Sequence, residues 1–200
     1  MSGAIAYARG IIPDHENRER NDFYPTPPAA TRALLSVETF SGKIWEPACG
    51  NGAISKVLID AGYDVHSSDL IDRGYGTPNV DFMLDFQTVA ANVVTNPPFK
   101  FAQEFVEHAL RRATGKVAML CRLAWLEGIE RNALFRSTPL ARVWVFSNRI
   151  PMLRNGDEMH AGGGGMIAFA WYVWDHSYVG KPELGWLMTE RISRVPQVSA

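Results

Sequence analysis

Ile44-Trp45-Glu46-Pro47-Ala48-Cys49-Gly50-Asn51-Gly52-Ala53-Ile54-Ser55 is the stretch on which the fold turns. Its first residues have strand character and end in an acid. A tight Gly-Asn-Gly turn follows, where Gly50 and Gly52 let the main chain turn sharply and approach a ligand closely. Ile54, Val57, Leu58 and Ala61 then recur at helical spacing, and Gly62 stands where a helix is capped. Asn-Gly is also a strong hairpin signal, but the helical period beyond it favours strand, turn, helix. The turn lacks the Gly-Lys-Ser/Thr of a Walker phosphate loop. It also lacks the third glycine of Gly-x-Gly-x-x-Gly, with Ser55 in that place.

Further along, Val65-His66-Ser67-Ser68-Asp69-Leu70 reads as a second strand ending in an acid. A carboxylate at the end of the second strand of a nucleotide-binding sheet can accept hydrogen bonds from ribose hydroxyls. A lone aspartate there is more often a solvent-facing loop residue. A third strand is expected over Val80 to Leu84, ending in Asp85-Phe86. There an acid could meet an adenine amino group while a ring covers the base.

The apolar pair Val93-Val94 reads as another strand, and Asn96-Pro97-Pro98-Phe99 follows it. Two consecutive prolines cannot continue a sheet ladder or sit inside a helix. They make a rigid corner that leaves the Asn96 carboxamide and the Phe99 ring beyond the sheet. An amide offers one acceptor group and two donors, and an aromatic ring can stack on a base with about 1–3 kcal/mol. The pair suits an exocyclic amine on a flat substrate, although Asn-Pro is also an ordinary turn initiator.

These runs resemble the class I S-adenosylmethionine-dependent methyltransferases that act on exocyclic amines. Glu46 to Gly52 looks like their first cofactor motif, and Asn96 to Phe99 looks like their Asn/Asp-Pro-Pro-aromatic motif. Phe23-Tyr24-Pro25-Thr26-Pro27-Pro28 is similar to the Thr-Pro-Pro segment of gamma-ordered N6-adenine DNA methyltransferases, small phage-type members above all. The resemblance covers roughly residues 22–174.

The resemblance implies S-adenosylmethionine as cofactor and no metal. It implies that Glu46, Ala48, Gly50 and Gly52 surround the methionine and ribose, that Asp69 and Leu70 lie at the ribose, and that Asp85 and Phe86 hold the adenine. Tyr24 and Thr26 would close over the methionine end. Asn96 and the Pro97 carbonyl would accept from the target amine, Pro98 would complete the corner, and Phe99 would stack on the target base. Nucleic acid, DNA first, is the implied partner. RNA amines, a protein glutamine, and a non-catalytic cofactor-binding subunit are the alternatives.

At 200 residues, 46% hydrophobic and 20% charged, the chain suits one globular domain. The expected fold is α/β, a doubly wound Rossmann-like sheet of seven strands with helices on both faces. Its last strand, Ile167 to Trp174, is expected to be antiparallel and buried on both faces. The expected organisation is a 1–21 arm, a 22–180 catalytic domain and a 181–200 tail. No apolar run reaches the ~18 residues of a membrane span, and Met1 to Arg20 lacks the apolar core of a signal peptide. Cys49 and Cys121 read as reduced, buried thiols of a cytoplasmic protein. His15, His66, His108, His160 and His176 show no paired ligand spacing.

Net charge is −1, not the footprint of a strong DNA binder. Locally, between Arg122 and Arg154, six arginines (Arg122, Arg131, Arg136, Arg142, Arg149 and Arg154) outnumber two acids, and they could form a phosphate-facing rim. Arg122, Arg149 and Arg154 are candidates for a phosphate-facing rim, the last two in a Ser147–Gly165 loop that includes four consecutive glycines. Arg131 is spaced to pair with Glu127 on a helix instead. Little chain remains for a separate recognition domain, so specificity is expected to be low, or to come from the Ser147–Gly165 loop, or from a partner subunit or a second copy.

Overall fold

The computed structural model describes residues 23–150, 152 and 167–189. Among these residues four helices, α1 (Pro28–Leu35), α2 (Ala53–Asp60), α3 (Ala102–Arg112) and α4 (Ile129–Ser137), flank one sheet. Its strands are β1 (Ile44–Glu46), β2 (Val65–Ser67), β3 (Asn92–Thr95), β4 (Lys116–Arg122), β5 (Leu140–Phe146), β6 (Phe169–Asp175) and β7 (Glu183–Leu187). They lie in the order β2-β1-β3-β4-β6-β5-β7. Strands β1 to β4 are mutually parallel, β6 is antiparallel to both β4 and β5, and β7 is parallel to β5.

Residues alternate across a strand, and helices cover both faces, so the middles of the central strands are apolar on both sides while polar residues such as Glu46, Asn92, Lys116 and Asp175 stand at their ends. Ile44, Val94, Ala118, Leu120, Trp171 and Val173 pack toward Ala30, Leu34, Ile54 and Leu58 of α1 and α2. Trp45, Val93, Val117, Met119, Tyr172 and Trp174 pack toward Phe105, Val106 and Ala109 of α3 and Leu134 of α4. Every residue from Phe169 to Asp175 is buried, so the aromatic stripe of β6 is core. Both cysteines are buried and unpaired by disulfide.

The strand-turn-helix reading of residues 44–60 holds. Helix α2 ends in a Schellman motif, with Gly62 N–H on Ile59 O at 2.8 Å and Tyr63 N–H on Leu58 O at 3.1 Å. Gly62 has φ +90° with open space around its absent Cβ, so backbone conformation alone selects glycine there.

Several expectations need correction. Helix α1 begins at Pro28, with Pro27 at its N-cap and no side-chain cap bond. Pro28 disfavours the helical region for the residue before it, so Pro27 stays extended. Val80 to Leu84 is no strand: the Asp81 carboxylate accepts the Met83 N–H at 2.9 Å and winds Phe82–Leu84 into a 3-10 turn. The sheet instead gains its seventh strand from Glu183–Leu187, inside the expected tail. Glu127 lies before α4, so Arg131 bonds the carbonyls of Trp125 and Glu127 rather than a carboxylate. The arm at 1–21, Arg154 and the four glycines lie outside the described residues.

Arg142 does not join a rim. It donates to Glu38, together with Lys116 Nζ at 2.7 Å and Trp144 Nε1 at 2.9 Å, and also reaches Asp175 at 3.2 Å. Burial alone would raise the Glu38 pKa. The bonds from Arg142, Lys116 and Trp144 outweigh it and hold that carboxyl below its ordinary range. This network ties the loop after α1 to β4, β5 and β6.

Candidate active site

A cavity of about 710 Å³ opens at the carboxyl ends of β1, β2 and β3, where open α/β sheets bind ligands. Tyr24, Thr26, Glu46, Ala48, Gly50 and Asp69 all line it, as do Leu70, Asn96 and Pro98. Pro97 is buried and does not line it. The topology brings the ends of β4 and β5, hence Arg122 and Arg149, to the same edge of the sheet, where both are exposed.

Glu46 ends β1 and is 2% exposed. Its Oε2 accepts the Ser55 N–H at 2.7 Å and the Ser55 hydroxyl, which in turn meets Ser67 Oγ at 2.6 Å. Burial pushes the Glu46 pKa up to about 8; the Ser55 bonds oppose the rise and the Asp69 charge adds to it. Asp69 Oδ2 accepts the Gly50 N–H at 2.8 Å and Oδ1 the Ile71 N–H at 2.8 Å. Each carboxylate oxygen keeps a lone pair for a further donor.

Gly50 and Gly52 have φ of +55° and +79°. A Cβ on Gly50 would lie 2.6 Å from the Phe23 ring, and one on Gly52 2.5 Å from the Tyr75 ring. Gly52 caps α2 and does not line the cavity. Only glycine fits a main chain that turns this tightly beneath two aromatic rings.

Asn96 follows β3 at the cavity wall. Its Nδ2 donates to Tyr24 O at 3.1 Å, while Oδ1 is buried with no hydrogen-bond partner among the described residues. Buried acceptors are nearly always satisfied, so Oδ1 is a prepared acceptor. Phe99 does not line the cavity. Its ring stacks with Tyr24 at 5.9 Å and 24°, tilts against Phe169 at 5.8 Å, and carries the Arg122 guanidinium 4.8 Å from its centre.

Asp85 and Phe86 are not at the cavity. Asp85 accepts from Gln87 N, Thr88 N and Thr88 Oγ1, and Phe86 is 66% exposed. The preceding pair, Asp81 and Phe82, lines the cavity instead. The two dipeptides are identical four positions apart, so sequence alone had no basis for choosing between them. Phe23, Arg73 and Met83 also line the cavity without having been singled out. Among the described residues, no group of three His, Cys, Asp or Glu could hold a metal ion, and no helix is long and apolar enough to cross a membrane.

No protein-family model matches the chain, and no curated protein matches it in sequence. Solved structures do match its fold. A Listeria monocytogenes protein described as a class I S-adenosylmethionine-dependent methyltransferase aligns with TM-score 0.60 and 12% identity over 92% of this chain and 72% of its own. A Pyrococcus horikoshii protein described as an RNA methyltransferase aligns with TM-score 0.59 and 15% identity over 86% of this chain and 96% of its own. A Vibrio vulnificus protein described as a modification subunit of a type I restriction enzyme gives TM-score 0.56 and 12% identity over 90% of this chain. The chain spans about half of that subunit, 48%. The fold is therefore the Rossmann-like methyltransferase sheet.

Proposed function

We propose that this chain transfers a methyl group from S-adenosylmethionine to an exocyclic amine, most specifically N6 of adenine in DNA. The observation that carries the reading is Asn96 Oδ1, a buried acceptor without a donor among the described residues, on a residue that lines the same cavity as the glycine turn. The residues present fit the cofactor. The cavity volume lies within the roughly 300–1,000 Å³ of small-molecule sites, and Gly50 offers bare backbone to it. Asp69 offers carboxylate oxygens and Glu46 its buried carboxyl to a ligand with an amine and ribose hydroxyls. Asp81 and Phe82 take the adenine-holding role first assigned to Asp85 and Phe86.

When bound, the cofactor supplies a methyl on a sulfonium sulfur, already electrophilic. The remaining work falls to the chain. An aryl amine is a poor nucleophile because its lone pair is delocalised into the ring. Asn96 Oδ1 and the Pro97 carbonyl accept its two N–H groups and draw the nitrogen toward tetrahedral geometry, freeing the lone pair. As the N–C bond forms and the S–C bond breaks, the amine becomes cationic, and the same two acceptors stabilise that charge. The nitrogen then loses one proton to solvent. Orientation and electrostatics suffice, without a strong base.

The near-neutral charge supports a second reading with the same chemistry on RNA or a protein side-chain amide. The experiment offers labelled S-adenosylmethionine with duplex DNA, single-stranded DNA, RNA and protein acceptors, followed by digestion. Label in N6-methyladenine from DNA, absent with Asn96→Ala, is the expected result. Label confined to RNA or protein replaces the acceptor. Cofactor binding without transfer to any acceptor overturns the catalytic reading and leaves a cofactor-binding subunit.

A further inference from the structure

Residues Phe23 to Thr26 run as a strap across the cavity, and all four line it. Phe23 packs so close to the glycine turn that a Cβ on Gly50 would collide with its ring at 2.6 Å. Its ring also carries the Arg73 guanidinium carbon 4.0 Å from its centre, within cation–π reach. Arg73 comes from the loop after β2, which Asp69 fixes through the Ile71 N–H. At the next residue the strap reaches the other half of the site. The Tyr24 ring stacks on Phe99, and the Tyr24 carbonyl takes one N–H of Asn96 at 3.1 Å.

That bond decides which way a nearly symmetric group lies. The oxygen and nitrogen ends of a carboxamide are close to isosteric, and reversing them would aim two donors at the target amine in place of an acceptor. With Nδ2 committed to Tyr24 O, Oδ1 is the end left over. The strap's position thus controls the polarity of the catalytic amide.

We infer that Phe23 and Arg73 are positioning residues: they clasp the strap to the cofactor turn so that the Tyr24 carbonyl holds Asn96 with Oδ1 presented to the acceptor amine. The inference rests on the proposed role of Asn96. It makes retention of the cofactor and orientation of Asn96 a single event, since both need the strap closed.

The test uses the full chain with Arg73→Ala, Arg73→Lys, Phe23→Ala, Phe23→Trp and the double alanine variant. Calorimetry reads S-adenosylmethionine affinity, thermal unfolding reads stability, and methyl transfer at saturating cofactor reads kcat. Each single alanine is expected to weaken binding about fivefold, the size of a partly exposed cation–π contact, and to lower kcat at saturation with Tm unchanged. The lysine and tryptophan variants restore both quantities. The double alanine variant is no weaker than either single one, because the two side chains act as one contact.

Wild-type affinity and kcat in Arg73→Ala would overturn the inference. So would additive losses, which would mean that each side chain touches the cofactor separately. If the wild type binds cofactor but methylates nothing, the role of Asn96 fails, and the affinity series by itself still decides whether the clasp exists.

Discussion

The carboxylate of Asp69, past the end of β2, accepts the main-chain N–H of Gly50, past the end of β1, at 2.8 Å. One side chain therefore fixes the turn between β1 and α2 and, through the Ile71 N–H, starts the loop that carries Arg73. Asp69→Ala would leave the Gly50 N–H buried without its acceptor, at about 1–3 kcal/mol. Urea unfolding should show a lower midpoint with unchanged slope, and calorimetry a weaker cofactor complex. Asp69→Asn, which retains one acceptor oxygen, should lose less of both.

Two Asp-Phe pairs four residues apart should separate in a binding assay. Asp81 lines the cavity, whereas Asp85 closes a turn onto Thr88. Asp81→Ala should weaken S-adenosylmethionine binding about tenfold, one lost polar contact of ~1.4 kcal/mol. Asp85→Ala should leave that affinity unchanged and lower stability by about 1 kcal/mol, as loss of a capping side chain does. Equal effects on affinity would return the adenine site to Asp85 and Phe86.

Glu46 makes stability depend on pH in an unusual direction for a carboxyl. Its pKa rises from 4.5 to about 8 because burial favours the protonated form. The folded state then binds a proton that the unfolded chain has released, so stability falls as pH rises between those values. This contribution is fully present below the unfolded pKa and gone once pH passes the folded one. Glu46→Gln, neutral throughout, should flatten the decline in Tm from pH 5 to 9 relative to wild type. Parallel curves for the two proteins would exclude the shift.

Glu38 titrates in the opposite sense. Despite its burial, bonds from Arg142, Lys116 and Trp144 lower its pKa. It therefore stabilises the fold above the ordinary carboxyl range, and that contribution is lost as pH falls through the lowered value. Glu38→Ala should cost about 3 kcal/mol at neutral pH, because Arg142 and Lys116 lose the acceptor that compensates their desolvation. The gap to wild type should narrow in acid, measured by denaturant unfolding at pH 7 and pH 3.

Local chemistry was strong enough in the sequence to determine much of this protein. The glycine turn before a helical period, the double proline that ends β3, and the two-sided apolar run of β6 each allow few backbone conformations. Strand-turn-helix at 44–60, the corner at Asn96 and the buried aromatic stripe were therefore legible without coordinates. So were nine of the 25 cavity-lining residues, because parallel strands deliver their carboxyl ends to one edge.

Only the tertiary structure decided the matters that rest on distance between remote segments. Asp81 and Asp85 carry the same local signal, and packing of Phe82 between Trp45, Phe105 and His108 chose the first pair for the cavity. Glu183–Leu187 reads as tail until β5 supplies its hydrogen-bonding partner. Arg142 resembles its rim neighbours until Glu38, 104 positions away, claims it. The polarity of the Asn96 amide depends on a carbonyl 72 positions upstream. A side chain's partner is a property of the folded chain, and no local pattern encodes it.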